Sequence, residues 1–164
     1  MKASRPRKKG FTLVEMVVTL TILSILAWSI LPLTKIGVQR EREVELRRDL
    51  RLIREALDAY KKLSDEKKIE VKEDTEGYPQ TLDVLVKGVE VKSQDQTTGG
   101  KSKGKKIVKF LRRIPRDPMT DSTDWGLRSY QDDVDATHWG GENVYDVYTK
   151  SQAKALDGTL YRDW

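Results

Sequence analysis

The chain has 164 residues, is 37% hydrophobic and 35% charged, and carries a formal net charge of +5, which suits one domain with one modest core and its attachments. A mean hydropathy of −0.64 excludes a polytopic membrane protein, and the apolar fraction argues against a fully disordered chain. With no cysteine there is no disulfide framework, thiol nucleophile or thiolate zinc site, and the single histidine, His138, weakens a histidine triad or multi-histidine metal centre.

The positive charge has one location. The first ten residues, MKASRPRKKG, hold Lys2, Arg5, Arg7, Lys8 and Lys9 and no acid, and these five account for the whole excess of 31 Lys+Arg over 26 Asp+Glu. The rest of the chain is formally neutral. A nucleic-acid partner is set aside on this ground, because phosphate binding needs a basic surface that stays with the folded protein.

The run FTLVEMVVTLTILSILAWSILPL follows over residues 11–33, interrupted by one charge, Glu15. As a helix it reaches roughly 35 Å, against a hydrocarbon core of about 30 Å. Residues 11–34 therefore read as one membrane-spanning helix. The basic leader, with the weaker flank Lys35 and Arg40 after the run, places the N-terminus in the cytoplasm and the remainder outside it. An ordinary cleaved secretory signal fits poorly, since Ala27 is followed by Trp-Ser-Ile-Leu-Pro and not by a polar mature start. Trp28 suits an interfacial anchor.

At the junction, Lys9-Gly10-Phe11-Thr12-Leu13-Val14-Glu15, a basic leader ends in glycine and a carboxylate lies five residues into the apolar run. It resembles the class III signal of type IV prepilins and type II secretion pseudopilins. The resemblance implies that a membrane aspartyl peptidase cuts between Gly10 and Phe11 at the cytoplasmic face and that Phe11 becomes the N-methylated first residue. A glycine there lets an active site approach the backbone without meeting a Cβ. Glu15 is costly inside a bilayer. It either reaches back to the headgroup region or, as the family implies, pairs with the amine of Phe11 in an adjacent subunit and sets axial register during assembly. Pro32 stands where the family carries a helix-kinking proline, with a simple end to the spanning segment as the other reading.

Residues 35–64 continue the helix as an amphipathic stem. Leu46, Leu50, Ile53, Leu57 and Tyr60 recur at spacings of four and three and form one stripe. Arg42, Arg47, Arg48, Arg51 and Arg54 with Glu41, Glu43, Glu45 and Glu55 fill the remainder, which reads as a solvated face laced by weak ion pairs. The stripe is too short for a coiled coil. It is expected to pack on a head formed by residues 65–164, and residues 11–64 together would make a rod of roughly 80 Å.

In the head, Gly77-Tyr78-Pro79 leads into a short helix with Thr81 as its expected N-cap. Residues 92–106 are polar, glycine-containing and without periodicity, hence a flexible loop. The stretches 127–130 and 143–149 alternate like antiparallel strands. The fold class is α+β: a long N-terminal helix, transmembrane then amphipathic, packed on a small antiparallel sheet.

The order of a YP-x-TL turn, Ile114-Pro115-Arg116-Asp117-Pro118, a Trp125-Gly126-x-x-x-Tyr130 segment, VYDVY and a final LDG-x-x-Y-x-x-W resembles the major pseudopilin family, the G subunit of type II secretion systems. That resemblance implies a type IV pilin-like fold and a structural calcium ion at a C-terminal loop. Here Ala155-Leu156-Asp157-Gly158 matches only in part, leaving Asp157 and Asp163 as weak candidate calcium ligands that need several carbonyls or waters besides. The acids at 132, 133 and 135 do not make an EF-hand, because His138 stands where the loop glycine belongs. No other cofactor is expected.

The resemblance thus implies a non-enzymatic structural subunit, matured by prepilin peptidase and held single-pass in the inner membrane with a periplasmic head. It would polymerise into a helical periplasmic pseudopilus that helps drive protein export. Its partners would be further copies of itself, the inner-membrane secretion platform and minor pseudopilins. A type IV pilin of a surface pilus and an unrelated membrane-anchored binding protein are the alternatives.

Overall fold

The computed structural model describes residues 10–92 and 106–164, with the side chains of 29–34 and of Glu73 outside the description. The elements in order are α1 (Leu13–Asp65), a 3-10 turn at Glu73–Thr75, α2 (Asp83–Lys87), β1 (Val89–Val91), β2 (Lys106–Val108), β3 (Gly126–Arg128), β4 (Asp146–Tyr148) and a 3-10 turn at Tyr161–Asp163. Two compact units divide the chain, residues 1–39 and 40–164.

The first unit is the opening stretch of α1. Its apolar side chains from Leu13 to Leu26 lie exposed. The hydroxyls of Thr19, Thr21 and Ser24 donate to the carbonyls of Met16, Val18 and Leu20 at 2.9, 2.8 and 2.7 Å, so these polar groups are satisfied within the helix itself. Among the described residues no helix is long and apolar enough to cross a membrane. The apolar part of α1 with described side chains stops at Trp28, short of the roughly 20 residues a span needs. The helix continues through position 32, but the expected kink at Pro32 falls outside the described side chains.

The second unit is the head, built on α1 from Arg40 onward. Leu46, Leu50, Ile53, Leu57 and Tyr60 are buried and form a core with Leu85, Trp125, Val144, Val147 and Tyr161. The four-and-three spacing therefore does what a narrow stripe does best: it lays one helix face against a small domain. The helix stops with Lys67 in the left-handed region, φ 54°, and the Lys68 amide returns to the Leu63 carbonyl at 3.0 Å, a Schellman-like close.

The architecture is α+β, as expected, but the sheet is not single. Two separate two-stranded antiparallel ladders form, β1 with β2 and β3 with β4, in registers Val89↔Val108 and Gly126↔Tyr148. In the second, β4 falls within the expected stretch 143–149 and β3 overlaps the expected stretch 127–130 at residues 127 and 128. The first went unforeseen because β2 opens directly out of the polar stretch 92–106, which shows no alternation in the sequence. β2 begins at Lys106, so the expected flexible loop is bounded by paired strands, and its residues 93–105 lie outside the described set.

The expected N-cap at Thr81 is corrected. α2 is preceded by Leu82, which has no side-chain cap, and Thr81 contributes its backbone carbonyl to the Val84 amide at 3.2 Å. The reason is local: Leu82 is turned into the core, already in right-handed helical conformation, and this carries the turn past the position where a threonine hydroxyl could cap it.

Two glycines are dictated by close approach. Gly88 adopts φ +86°, and a Cβ there would lie 2.7 Å from the Val108 carbonyl across the first ladder. At Gly126 a Cβ would meet the Tyr148 ring at 2.4 Å, so the second ladder needs a residue without a side chain under that ring.

Candidate functional site

The expected processing junction precedes the helix. Gly10, Phe11 and Thr12 lie before the first helical residue, Leu13, in irregular backbone. A Cβ built on Gly10 meets nothing within 4 Å, and Phe11 is 77% exposed. Among the described residues nothing crowds Gly10 or Phe11, and both lie outside the helix, as suits a bond that a peptidase must reach.

Thr12 starts the helix. Its Oγ1 accepts the Glu15 amide at 3.2 Å and its carbonyl accepts the Met16 amide at 3.1 Å. Thr12-x-x-Glu15 has the spacing of a capping box, with Thr12 at N-cap and Glu15 at N3. The role of Thr12 was missed in the sequence, although that four-residue signal was there to find it. Glu15 is exposed in the first turn of α1, where the helix dipole favours a carboxylate.

In the head the motif residues are joined into one structure. Asp117, 0% exposed, accepts the Met119 amide at 2.8 Å, the Thr120 hydroxyl at 2.9 Å and the Thr149 hydroxyl. It ties the IP-x-DP segment to the residues after β4. Trp125 Nε1 donates to the Pro115 carbonyl at 3.0 Å, and the Val144 amide donates to the Pro79 carbonyl at 2.8 Å. Tyr78, Tyr130 and Tyr145 pack ring to ring, edge-on in two of the three pairs. Each motif that carried the head resemblance therefore serves packing or hydrogen-bond closure.

Most of the charged face of the stem is solvated as expected, with Glu41, Arg42, Glu45, Arg47, Arg48, Arg51 and Glu55 exposed, but two of its residues turn inward. Glu43, Arg47 and Arg54, at i, i+4 and i+11 of α1, share one face. Glu43 is only 8% exposed, and its Oε1 accepts the Leu156 amide and the Tyr161 hydroxyl, both at 2.8 Å. Arg54 holds Asp146 through two bonds of 2.7 and 3.2 Å and also donates to the carbonyls of Val147 and Trp164. The Arg47 guanidinium lies 4.0 Å from the Trp164 ring centroid. Glu43 and Arg54 are thus tertiary anchors beside the apolar stripe, whereas Arg47 stays exposed and its pair with Asp157 is a solvated one. Composition cannot tell the two apart, since both present alternating charge on a helix.

The two candidate calcium ligands each have contacts of their own. Asp157 Oδ1 accepts the Thr159 amide at 2.9 Å and its hydroxyl at 2.6 Å, and Arg47 stands 3.8 Å from Oδ2. The Thr159 hydroxyl, then its amide, hold the Asp157 carboxyl below its usual range. Asp163 faces Arg162 at 3.5 Å. Among the described residues no group of three or more His, Asp or Glu is placed to hold a metal ion. His138 is exposed beside Thr137.

An open groove of about 950 Å³ runs between α1 and residues 110–116. Its walls mix Arg48, Arg112 and Arg113 with Glu45 and Asp49, over Leu52 and Ile114. Burial, then the charge of Glu45, raises the Asp49 carboxyl.

The chain matches the family model of the prokaryotic N-terminal methylation motif over residues 5–31. Comparison with curated proteins and with solved structures yields no match. The matched span covers the second half of the basic leader from Arg5, the Gly10–Phe11 junction, Glu15 and most of the apolar run. An N-terminal methylation motif at the head of a long helix that packs on small antiparallel ladders is consistent with a type IV pilin-like fold. Such a motif implies processing by prepilin peptidase and pilus-like polymerisation.

Proposed function

We propose that this chain is a structural pseudopilin of a type II secretion system. In this reading it is cut between Gly10 and Phe11, N-methylated at Phe11 and anchored by residues 11–34 in the inner membrane with its head in the periplasm. It is then added to a short helical filament that helps drive protein export. The methylation motif at residues 5–31 carries the reading. The subunit is a substrate of the peptidase and performs no catalysis of its own.

The chemistry follows from the junction. Cleavage before the apolar helix removes the entire net positive charge and leaves the anchor in place, so the matured subunit stays in the membrane without the leader that pinned its N-terminus to the cytoplasm. The new amine at Phe11 and the carboxylate of Glu15 are the complementary charges near the start of each helix. Pairing between neighbours would neutralise both as helices pack, which supplies register more than stability. Burial of the exposed apolar side chains of the stem drives association, and repetition of one heterologous contact gives an open helical polymer. The lack of cysteine favours a pseudopilin over a disulfide-bearing pilin of a surface pilus.

Mass spectrometry of the protein purified from membranes tests the maturation step: an N-methylated Phe11 terminus is expected, and any other mature terminus rejects it. Disruption of the gene then separates the two systems. Loss of exoprotein export with surface filaments intact supports the pseudopilin, whereas loss of surface filaments with export intact assigns a pilin.

A further inference from the structure

The head resemblance implies a calcium ion at the C-terminal loop, and the donor chemistry of that loop argues otherwise. Calcium takes about six to eight oxygens, several of them from carboxylates with no competing cation. Here both carboxylates in question already face guanidinium groups, Asp157 facing Arg47 at 3.8 Å and Asp163 facing Arg162 at 3.5 Å. One oxygen of Asp157 is further engaged by two donors of Thr159. A divalent ion would have to displace or repel Arg47 and would gain few anionic oxygens in return. The residues present do not fit the ion.

They do fit one another. From Ala155 onward the chain folds back on itself: the Ala155 amide donates to the Thr159 carbonyl at 2.8 Å, and Trp164 Nε1 donates to the Thr159 hydroxyl at 2.8 Å. The rings of Tyr161 and Trp164 meet edge-on at 5.1 Å. α1 grips this closed segment at three stations on one face. Glu43 takes the Leu156 amide and Tyr161 hydroxyl, Arg47 covers the Trp164 ring and faces Asp157, and Arg54 takes the Trp164 carbonyl.

We infer that the Glu43–Arg47–Arg54 stripe of α1 is a metal-independent clamp on the C-terminal segment, with Arg47 supplying the positive charge that calcium would otherwise bring. The guanidinium is suited to this place because it is planar and permanently charged, so it stacks on Trp164 while facing Asp157. A clamp of this kind makes closure of the head independent of the calcium available outside the cytoplasm.

Thermal unfolding of the full matured chain in detergent micelles, followed by tryptophan near-UV circular dichroism, tests the clamp in excess EGTA and in excess calcium chloride. The wild-type midpoint is expected to be the same in both. Arg47→Met is expected to lower it by about 4 °C or more, without recovery in calcium. A wild-type midpoint that rises in calcium beyond the scatter of replicate melts overturns the inference, because a ligand bound only to the folded state must raise it. An Arg47→Met midpoint equal to wild type overturns it as well. Should that variant fail to fold, the wild-type comparison still decides.

Discussion

At the scale of single residues, this head stakes most on buried carboxylates. Asp117 is fully enclosed and satisfies one amide and two hydroxyls, so truncation leaves the buried Thr149 hydroxyl and the part-buried Met119 amide without that acceptor. Asp117→Ala is expected to cost about 2–4 kcal/mol, seen as a lower urea midpoint with an unchanged slope. Asp132 shows a milder version at the surface. Its Oδ2 accepts the Ser129 amide at 2.6 Å and the Gly140 amide at 3.1 Å, and the Ser129 bond above all holds its carboxyl below the usual 3.8. A carboxyl lowered in the folded state contributes stability above its unfolded value and loses it as the pH falls through the folded one. Hydrogen exchange at Ser129 and Gly140 is therefore expected to quicken below about pH 3.8, beyond the intrinsic pH trend, and Asp132→Asn should abolish that step. Neither role was legible in the sequence. An aspartate in IP-x-DP and one in an acidic run look alike until the fold shows which donors surround them.

Among elements, α1 governs the head. Its apolar stripe was readable because a helix repeats every three to four residues, and Leu46 through Tyr60 keep that period against a charged background. Its charged stripe was not readable, because the partners of Arg54 and Glu43 are more than ninety residues away in the chain. The Arg54–Asp146 pair makes this measurable. A double-mutant cycle with Arg54→Ala and Asp146→Ala is expected to give a coupling energy of about 1 kcal/mol, above the ~0.5 kcal/mol of an ordinary exposed helix pair. The ladders were half-legible for a related reason. β4 falls in an alternating stretch rich in tyrosine and valine and β3 overlaps the other expected stretch, while β1 and β2 pair across the polar stretch 93–105 beside the close approach at Gly88.

For the molecule as a whole, folding and assembly rest on different residues. The head core and clamp draw on residues 40–164, whereas Glu15 lies in the other compact unit. Glu15→Ala is expected to leave the thermal midpoint of the head within the change that about 0.5 kcal/mol produces, while the yield of sedimentable filament falls steeply. Filament at normal yield from that variant would remove Glu15 from assembly, and a collapsed head midpoint would mean that it acts through folding.

The sequence by itself determined the N-terminal methylation motif, the location of the net charge in the first ten residues, the long helix and its buried face. All of these are local, encoded by neighbours or by a short repeat, and they need no distant partner to be read. Only the tertiary structure decided which charges of α1 are anchors, that the sheet is two ladders, that Leu82 and not Thr81 precedes α2, and that Asp157 and Asp163 face arginines. Those features depend on which distant donors and acceptors are brought together, and a buried polar group takes its meaning from the partner it finds there.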